Sequence, residues 1–256
     1  METTEKFDVF PGIVNENEFY SHHFFAHVFQ SRIKDWLQQR AGSEAEADPP
    51  AKRLARLAGP FFQHLARYPA DEGFAAQVQW HQDLHRDLLR ELGYVIDPEE
   101  QEWIGGQPLP LWAQVGKTAG LSEVIVLPAF NPDQRPRQPE QTTDPLDATL
   151  DARHFGIEEV PAAYIAKGRK TPRPLAEILS DALFAADHPP RFVLLIGEVE
   201  WILIDRFKWP ANRFLRFDLT EILGKKPPAA LNASYALLHR DALCPEAGPN
   251  GITGCL

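Results

Sequence analysis

The sequence has few cysteines and no long apolar runs. Its two cysteines, Cys244 and Cys255, are too few and too far apart for a disulfide framework or a cysteine-based zinc site. No apolar run approaches the roughly 18 to 20 residues that a membrane-spanning helix needs, and the amino terminus carries acids where a signal peptide carries lysines. These absences argue against a disulfide-stabilised or membrane-spanning protein, and they predict a soluble protein of the cytoplasm.

Positive charge is also scarce. The chain has 26 Lys+Arg against 36 Asp+Glu, a formal net charge of -10. This balance argues against non-specific coating of nucleic acid, although an acidic body is compatible with a local basic face. At 256 residues with 44% hydrophobic residues, the chain can bury one large core or two small ones, which excludes overall disorder.

Helical periodicity dominates the first third of the chain. An extended entry with a turn at Pro11-Gly12 precedes three apolar stripes at helical spacing, near 19–37, from 51 onwards and at 72–92. Gly93 is a typical stop for the third helix. We therefore predict a mainly helical lead-in over residues 1–93.

Strand-like runs replace the helical pattern after Gly93. The predicted order is three short strands forming a meander, a helix, a hairpin, a further strand and a short helix, at 102–104, 109–115, 123–129, 174–186, 191–204, 213–218 and 219–223. This order predicts an α/β core at 94–240, with a mobile Pro-rich insertion at 131–145 and an irregular tail at 241–256.

One long segment carries a family resemblance. Residues 189–223 read PPRFVLLIGEVEWILIDRFKWPANRFLRFDLTEIL, with two apolar strands, an Ile-Asp-Arg end, a Lys-Trp pair and an Arg-x-Leu-x-Phe-Asp-Leu stretch. This segment resembles the amino-terminal region of adenine-specific DNA methyltransferases of type IIG restriction-modification and of BREX- and DISARM-like anti-phage defence systems. Residues 10–25 (FPGIVNENEFYSHHFF) and 237–245 (LLHRDALCP) are similar to the same family.

The resemblance implies both a fold and a role. It implies a restriction-endonuclease-like core of helix, three strands, helix and strand, which agrees with the element order predicted after Glu72. It implies a module that grips double-stranded DNA or docks other defence-system subunits or a downstream methylase polypeptide. S-adenosylmethionine is then expected only in a methylase domain that this chain lacks, and the abrupt Gly-rich end at 248–256 suggests a truncated product or a split subunit.

Catalytic signatures of both enzyme classes are absent. An adenine methylase needs a glycine-rich cofactor turn and an Asn/Asp-Pro-Pro-aromatic motif, whereas Asp48-Pro49-Pro50-Ala51 ends in alanine and Pro189-Pro190 follows a histidine. A nuclease of this fold needs an acid two residues before a lysine, and no lysine here has one. The segment that comes nearest is Gln114 to Lys117. It has an amide in place of the acid, and the amide is three residues before the lysine instead of two. We predict a catalytically degenerate core with no catalytic and no metal-binding residues.

Basic residues with interleaved aromatics form the candidate DNA-binding set. They are Arg206, Lys208, Arg213 and Arg216, among Phe207, Trp209, Phe214 and Phe217, with a second group at Lys167, Arg169 and Lys170 beside Arg173. Such a mixture suits phosphate contacts beside a stacking platform. The alternative is that Phe214 and Phe217 are core and the arginines pair with nearby acids, as we expect for Asp205 with Arg206.

Two histidine pairs raise a rival function. His81 with His85, and His23 with His27, are spaced to put two imidazoles on one helix face, as a metal-dependent hydrolase requires. We favour surface or packed histidines, since neither pair has the glutamate that a metalloprotease helix uses. Trp103, Trp112 and Trp201 are expected in the core. A further alternative is a protein-interaction module that never binds DNA.

Overall fold

The computed structural model describes residues 10–41, 48–96, 101–104, 107–116, 122–136, 141–155, 161–166 and 171–245. Eight strands and seven α-helices lie in these ranges. The strands are β1 (Ile13–Glu16), β2 (Gln101–Ile104), β3 (Gln107–Pro110), β4 (Ala113–Val115), β5 (Val124–Pro128), β6 (Phe192–Ile196), β7 (Glu200–Asp205) and β8 (Phe214–Asp218). The helices are α1 (Phe29–Ala41), α2 (Pro50–Leu65), α3 (Phe74–Glu91), α4 (Leu175–Ile178), α5 (Leu219–Lys225), α6 (Pro228–Leu238) and α7 (Arg240–Leu243). Single π-helical turns precede α1 at Phe24–Val28 and extend α4 at Leu179–Leu183.

Six of the strands form one mixed sheet. Their order is β1-β8-β7-β6-β5-β4, and β2 and β3 pair separately as a two-stranded sheet. In the large sheet, β5 and β6 are the one neighbouring pair that runs parallel. A parallel pair needs a long connection, and the chain between β5 and β6 supplies one that includes α4. The β6–β7 and β7–β8 pairs are antiparallel and close in sequence, so their ladders place the β7–β8 turn at one end of the sheet.

Side chains alternate between two cores on the two sheet faces. In β6, Phe192, Leu194 and Ile196 pack with helices α1, α2, α3, α5 and α6, whereas Val193 and Leu195 pack on the opposite face with α4. Both faces are therefore covered, which explains why the strand is a continuous apolar run. The molecule has three layers, with most of the helices on one side of the sheet.

Local sequence signals set several helix ends. The Asp218 carboxylate accepts hydrogen bonds from the backbone N–H groups of Thr220 and Glu221, at 2.8 and 3.1 Å, and so caps α5. Gly93 has φ +84°, a left-handed conformation that glycine adopts without steric cost, and it ends α3. The chain then turns back so that the Tyr94 N–H donates to the Leu89 carbonyl.

The mixed α/β class and most predicted elements are confirmed, but the three-strand meander is wrong. The run at 109–115 divides into the end of β3, which pairs with β2, and β4, which pairs with β5. Leu111 and Trp112 lie between them and are buried in the two different cores. The run divides because its first part pairs with β2 and its second part pairs with β5, whereas the change of core between Leu111 and Trp112 is the ordinary alternation of an extended chain.

Three other differences concern segments without strong periodicity. Helix α6 was not predicted, because eight of its residues are buried and it lacks a polar stripe. Residues 241–243 of the predicted irregular tail are helical, and residues 246–256 lie outside the described residues. In the predicted insertion, Pro132–Gln134 forms a 3-10 turn capped by the Asn131 side chain, while residues 137–140 are outside the description.

The predicted division at residue 93 stays a prediction. Strand β1 comes from the predicted lead-in and pairs with β8 at the edge of the large sheet. None of the helices that the structure describes combines the length and the apolar composition needed to cross a bilayer. Cys244 is buried, and Cys255 lies outside the described residues.

Candidate nucleic-acid interface

The connection between β7 and β8, residues 206–213, carries three of the predicted DNA-binding residues. Asp205 ends β7 with its carboxylate buried, and this carboxylate accepts a hydrogen bond from the Phe207 N–H at 2.9 Å. The Asp205 carbonyl accepts from the Lys208 N–H at 2.9 Å. A 3-10 turn at Trp209–Ala211 follows, and Asn212 reverses the chain with φ 53°. The connection is therefore a tight, hydrogen-bonded turn.

Neighbouring elements hold this turn in place. The buried Trp209 indole N–H donates to Ser180 Oγ at 2.9 Å, and the Asn17 amide donates to the Asn212 carbonyl at 2.7 Å. The Lys208 ammonium donates to the Phe19 carbonyl at 2.6 Å. Side chains on the outer surface of the turn are thus presented from a fixed backbone.

Phe207 is the most exposed part of the turn. Its side chain is 68% exposed, one of the few large apolar side chains exposed among the described residues. The guanidinium carbons of Arg206 and Arg191 lie 4.6 and 5.9 Å from its ring centroid. Both distances are in the range of cation–π contact. We call Arg191, Arg206, Phe207 and Arg213 the arginine–phenylalanine surface.

The arginines of this surface differ in whether they form an ion pair. Arg191 lies 3.4 Å from the Asp205 carboxylate, whereas Arg206 and Arg213 form no ion pair with any residue in the described ranges. The expected Asp205–Arg206 pair is therefore wrong. Arg206 points along the Phe207 ring because the Asp205 carboxylate is turned back towards the Phe207 N–H and Arg191.

Two of the predicted residues have structural roles. Arg216 is surrounded by the carboxylates of Glu200, Asp144 and Glu16, at 2.6, 2.8 and 3.3 Å, and its side chain is only 16% exposed. Lys208 points inwards over the Phe19 and Tyr20 rings, and burial lowers the pKa of its ammonium group. Neither cation is directed towards an approaching phosphate.

The remaining predicted basic residues are divided between the described and the undescribed parts of the chain. Lys167, Arg169 and Lys170 lie outside the described residues. Arg173 contacts Glu177 and Asp181 at 3.1 and 2.5 Å. Phe214 and Phe217 are buried, as the alternative interpretation of this segment requires.

A groove of about 1140 Å³ lies beside the turn. Its aromatic lining consists of Phe184, Phe207, Trp209 and Phe214, and its acidic lining consists of Asp144, Asp147, Glu177 and Asp181. Arg206 stands on the edge that the groove shares with the turn. An anionic ligand is therefore favoured along the arginine edge and disfavoured along the opposite, acidic wall.

The histidine pairs do not come together. His81 and His85 are buried between α3 and the sheet, whereas His23 and His27 are exposed on the turn before α1. Among the described residues, no group of three or more His, Cys, Asp or Glu is arranged to hold a metal ion. Trp112 and Trp201 are buried as expected, and the Trp103 side chain lies outside the description.

Sequence reasoning missed the part played by Arg191 and the exposure of Phe207. Arg191 precedes β6 and reaches the turn only because β6 and β7 pair with Phe192 opposite Asp205. The signal that existed was local, an aromatic residue directly after a strand-ending Asp-Arg. Comparisons with protein-family models, with curated proteins and with solved structures found no match.

Proposed function

We propose that this chain is a binding module that grips DNA phosphates through Arg206 and Arg213. We further propose that it is the amino-terminal module of a defence-associated, adenine-specific DNA methyltransferase whose methylase domain is not in this chain. No residue is assigned a catalytic role in this proposal. The supporting observation is the pair of cations on the β7–β8 turn that no described carboxylate neutralises.

The surroundings of these cations support phosphate binding. Most arginines near the turn are held by acids: Arg216 by three carboxylates and Arg173 by two. Arg206 and Arg213 are the exceptions, and both lie on a rigid turn. The hydrogen-bonded backbone of the turn fixes where both side chains begin, so binding phosphate orders only the side chains themselves.

The methyltransferase context is supported by sequence resemblance. The segment that carries it, residues 189–223, is β6, β7, the turn, β8 and the start of α5. We propose that the helix–strand order from α3 to β7 is a degenerate restriction-endonuclease-like core. The split run at 109–115 departs from the simple three-strand meander of that core, as described above.

Binding to a labelled DNA duplex over a salt series tests the proposal. We expect affinity to fall with rising salt, because each neutralised phosphate releases counterions. The double variant Arg206→Ala/Arg213→Ala is expected to bind more weakly, with a slope of log K against log salt smaller by about 2. Arg32→Ala/Arg67→Ala is the matched control, since Arg32 is exposed on α1, Arg67 is exposed in the turn that follows α2, and the net charge changes equally.

The same titration separates the rival functions. An equal loss of affinity in both double variants would overturn the assignment of the turn, because it would show a general charge effect. No binding at low salt would favour the alternative, a module that docks other proteins. Cleavage of the duplex only when Mg²⁺ is present would contradict the degenerate core.

A further inference from the structure

The exposure of the Phe207 side chain does not arise from the packing of either core. This side chain contributes to neither core, while Phe214 and Phe217 in the same segment are buried. An exposed phenyl ring on a rigid turn presents apolar surface to water, which is unfavourable for the free protein. The side chains of Asp205, Lys208 and Trp209 hold the turn in place, through hydrogen bonds to the Phe207 N–H, the Phe19 carbonyl and Ser180 Oγ. The geometry thus favours a ligand that covers the ring.

The ligand has to combine a flat apolar group with negative charge. The guanidinium carbons of Arg206 and Arg191 lie 4.6 and 5.9 Å from the Phe207 ring centroid. A nucleotide supplies both parts, a base with a π-face and a phosphate.

Base-paired DNA does not fit this surface well. Bases in a duplex are stacked on each other, so an aromatic ring on the protein surface reaches only their edges. The groove beside the turn is lined by Asp147 and by carboxylates that already pair with Arg173 or Arg216, so it offers little attraction to the second phosphate backbone of a duplex. A single strand can place its phosphates along the arginine edge and turn a base towards Phe207.

We propose that Phe207 is a stacking platform for an unpaired base and that the arginine–phenylalanine surface prefers single-stranded over double-stranded DNA. This inference rests on the proposed function and adds the form of DNA that is bound. The unpaired base is recognised by its π-face, so the platform does not discriminate between base sequences. Arg206 and Arg213 contact the flanking phosphates.

The test compares a labelled single-stranded 12-mer with the duplex of the same sequence. Wild-type protein is expected to bind the single strand about tenfold more tightly. Phe207→Ala should lower affinity for the single strand by about tenfold to a hundredfold and leave duplex affinity unchanged. Phe207→Trp should restore single-strand binding, and Phe207→Leu should not, because leucine has no π-face. Val95→Ala is the matched control, since Val95 is 80% exposed elsewhere on the surface.

A spectroscopic readout identifies stacking directly. A single strand carrying 2-aminopurine should lose fluorescence on binding wild type and Phe207→Trp, but not Phe207→Ala. If Phe207→Ala weakens both forms of DNA equally, the platform is overturned, because the ring then only positions the arginines. If single strand and duplex bind equally and all Phe207 variants behave alike, the platform fails while salt-dependent duplex binding still supports the proposed function. If neither form binds at low salt, both proposals are overturned.

Discussion

The indole N–H of Trp201 donates a hydrogen bond to Nδ1 of His85 at 3.2 Å and joins β7 to α3 through two buried side chains. Since Nδ1 accepts, the proton of the neutral imidazole is on Nε2. His81, one helical turn earlier, has its Nε2 3.1 Å from the Gly197 carbonyl, and a carbonyl can only accept. The contacts therefore place a proton on Nε2 of both rings and require His85 to be neutral, whereas burial favours the neutral form of His81.

These two histidines predict a loss of stability in mild acid. Burial lowers the pKa of His81 from 6.5 to about 3, and it lowers the pKa of His85 well below 6.5. The unfolded chain therefore binds more protons than the folded chain below pH 6.5. The stabilising effect is complete above pH 6.5 and is lost as the pH falls from there towards 3. At pH 5 we expect His81 to lower the free energy of unfolding by about 2 kcal/mol and His85 to lower it further, measured by urea denaturation.

A pair of variants isolates one of these histidines. Burial also lowers the pKa of His154 and of His239, so the wild-type curve contains several groups. His85→Gln keeps an acceptor for the Trp201 N–H and removes one titration, so the loss of stability between pH 7.5 and 5 should be smaller than in the wild type. His23→Gln, at an exposed position, should follow the wild-type curve. An unchanged pH dependence in His85→Gln would contradict the assignment.

The sequence pattern predicted elements whose contacts are close in the chain. The hairpin of β6 and β7 was predicted because its two apolar runs are separated by a short polar turn. Helix α3 was predicted because its apolar stripe repeats at helical spacing and Gly93 follows it. In both cases a few consecutive residues carry the whole signal.

The candidate surface needed contacts that local patterns do not encode. Arg216 and Arg213 look equivalent in the sequence, but Arg216 meets Asp144 and Glu16, which lie 72 and 200 positions away, as the residue numbers give. Phe207 resembles Phe214 in its local context as well. Only the pairing of the strands and the position of the 144–147 loop decide which arginine is neutralised and which ring is exposed.

Arg216 is expected to be a stabilising residue. Replacing it with alanine leaves three carboxylates close together without their shared cation. One of them is Glu200, and burial already raises its pKa. We expect Arg216→Ala to lower the free energy of unfolding by about 2–4 kcal/mol at pH 7, because breaking a largely buried ion pair leaves charges without a partner. The deficit should decrease in acid as Glu200, whose pKa is raised, becomes protonated. Chemical denaturation at pH 7 and pH 4 measures both effects.

Arg213→Ala is the matched comparison for this stability measurement. Arg213 is exposed and pairs with no acid in the described ranges, so its removal should change stability by less than about 0.5 kcal/mol. The two arginines are thus expected to have opposite effects, one on folding and the other on DNA binding. Equal stability losses in the two variants would contradict the ion-pair network.

Two glycines, one inside α2 and one directly after the end of α3, predict opposite effects of alanine substitution on stability. A Cβ atom on Gly93 would lie 2.7 Å from Arg240 Cγ, and its φ of +84° is strained for alanine. Gly93→Ala should therefore destabilise the fold by about 1–3 kcal/mol. Gly59 lies inside α2 with nothing within 4 Å of an added Cβ. Gly59→Ala should stabilise the fold by at most about 0.5 kcal/mol, because the smaller loss of backbone entropy is partly offset by crowding of the new Cβ against the following Pro60 ring. Thermal unfolding of the two variants measures both effects. If Gly93→Ala were as stable as the wild type, the described end of α3 would be contradicted.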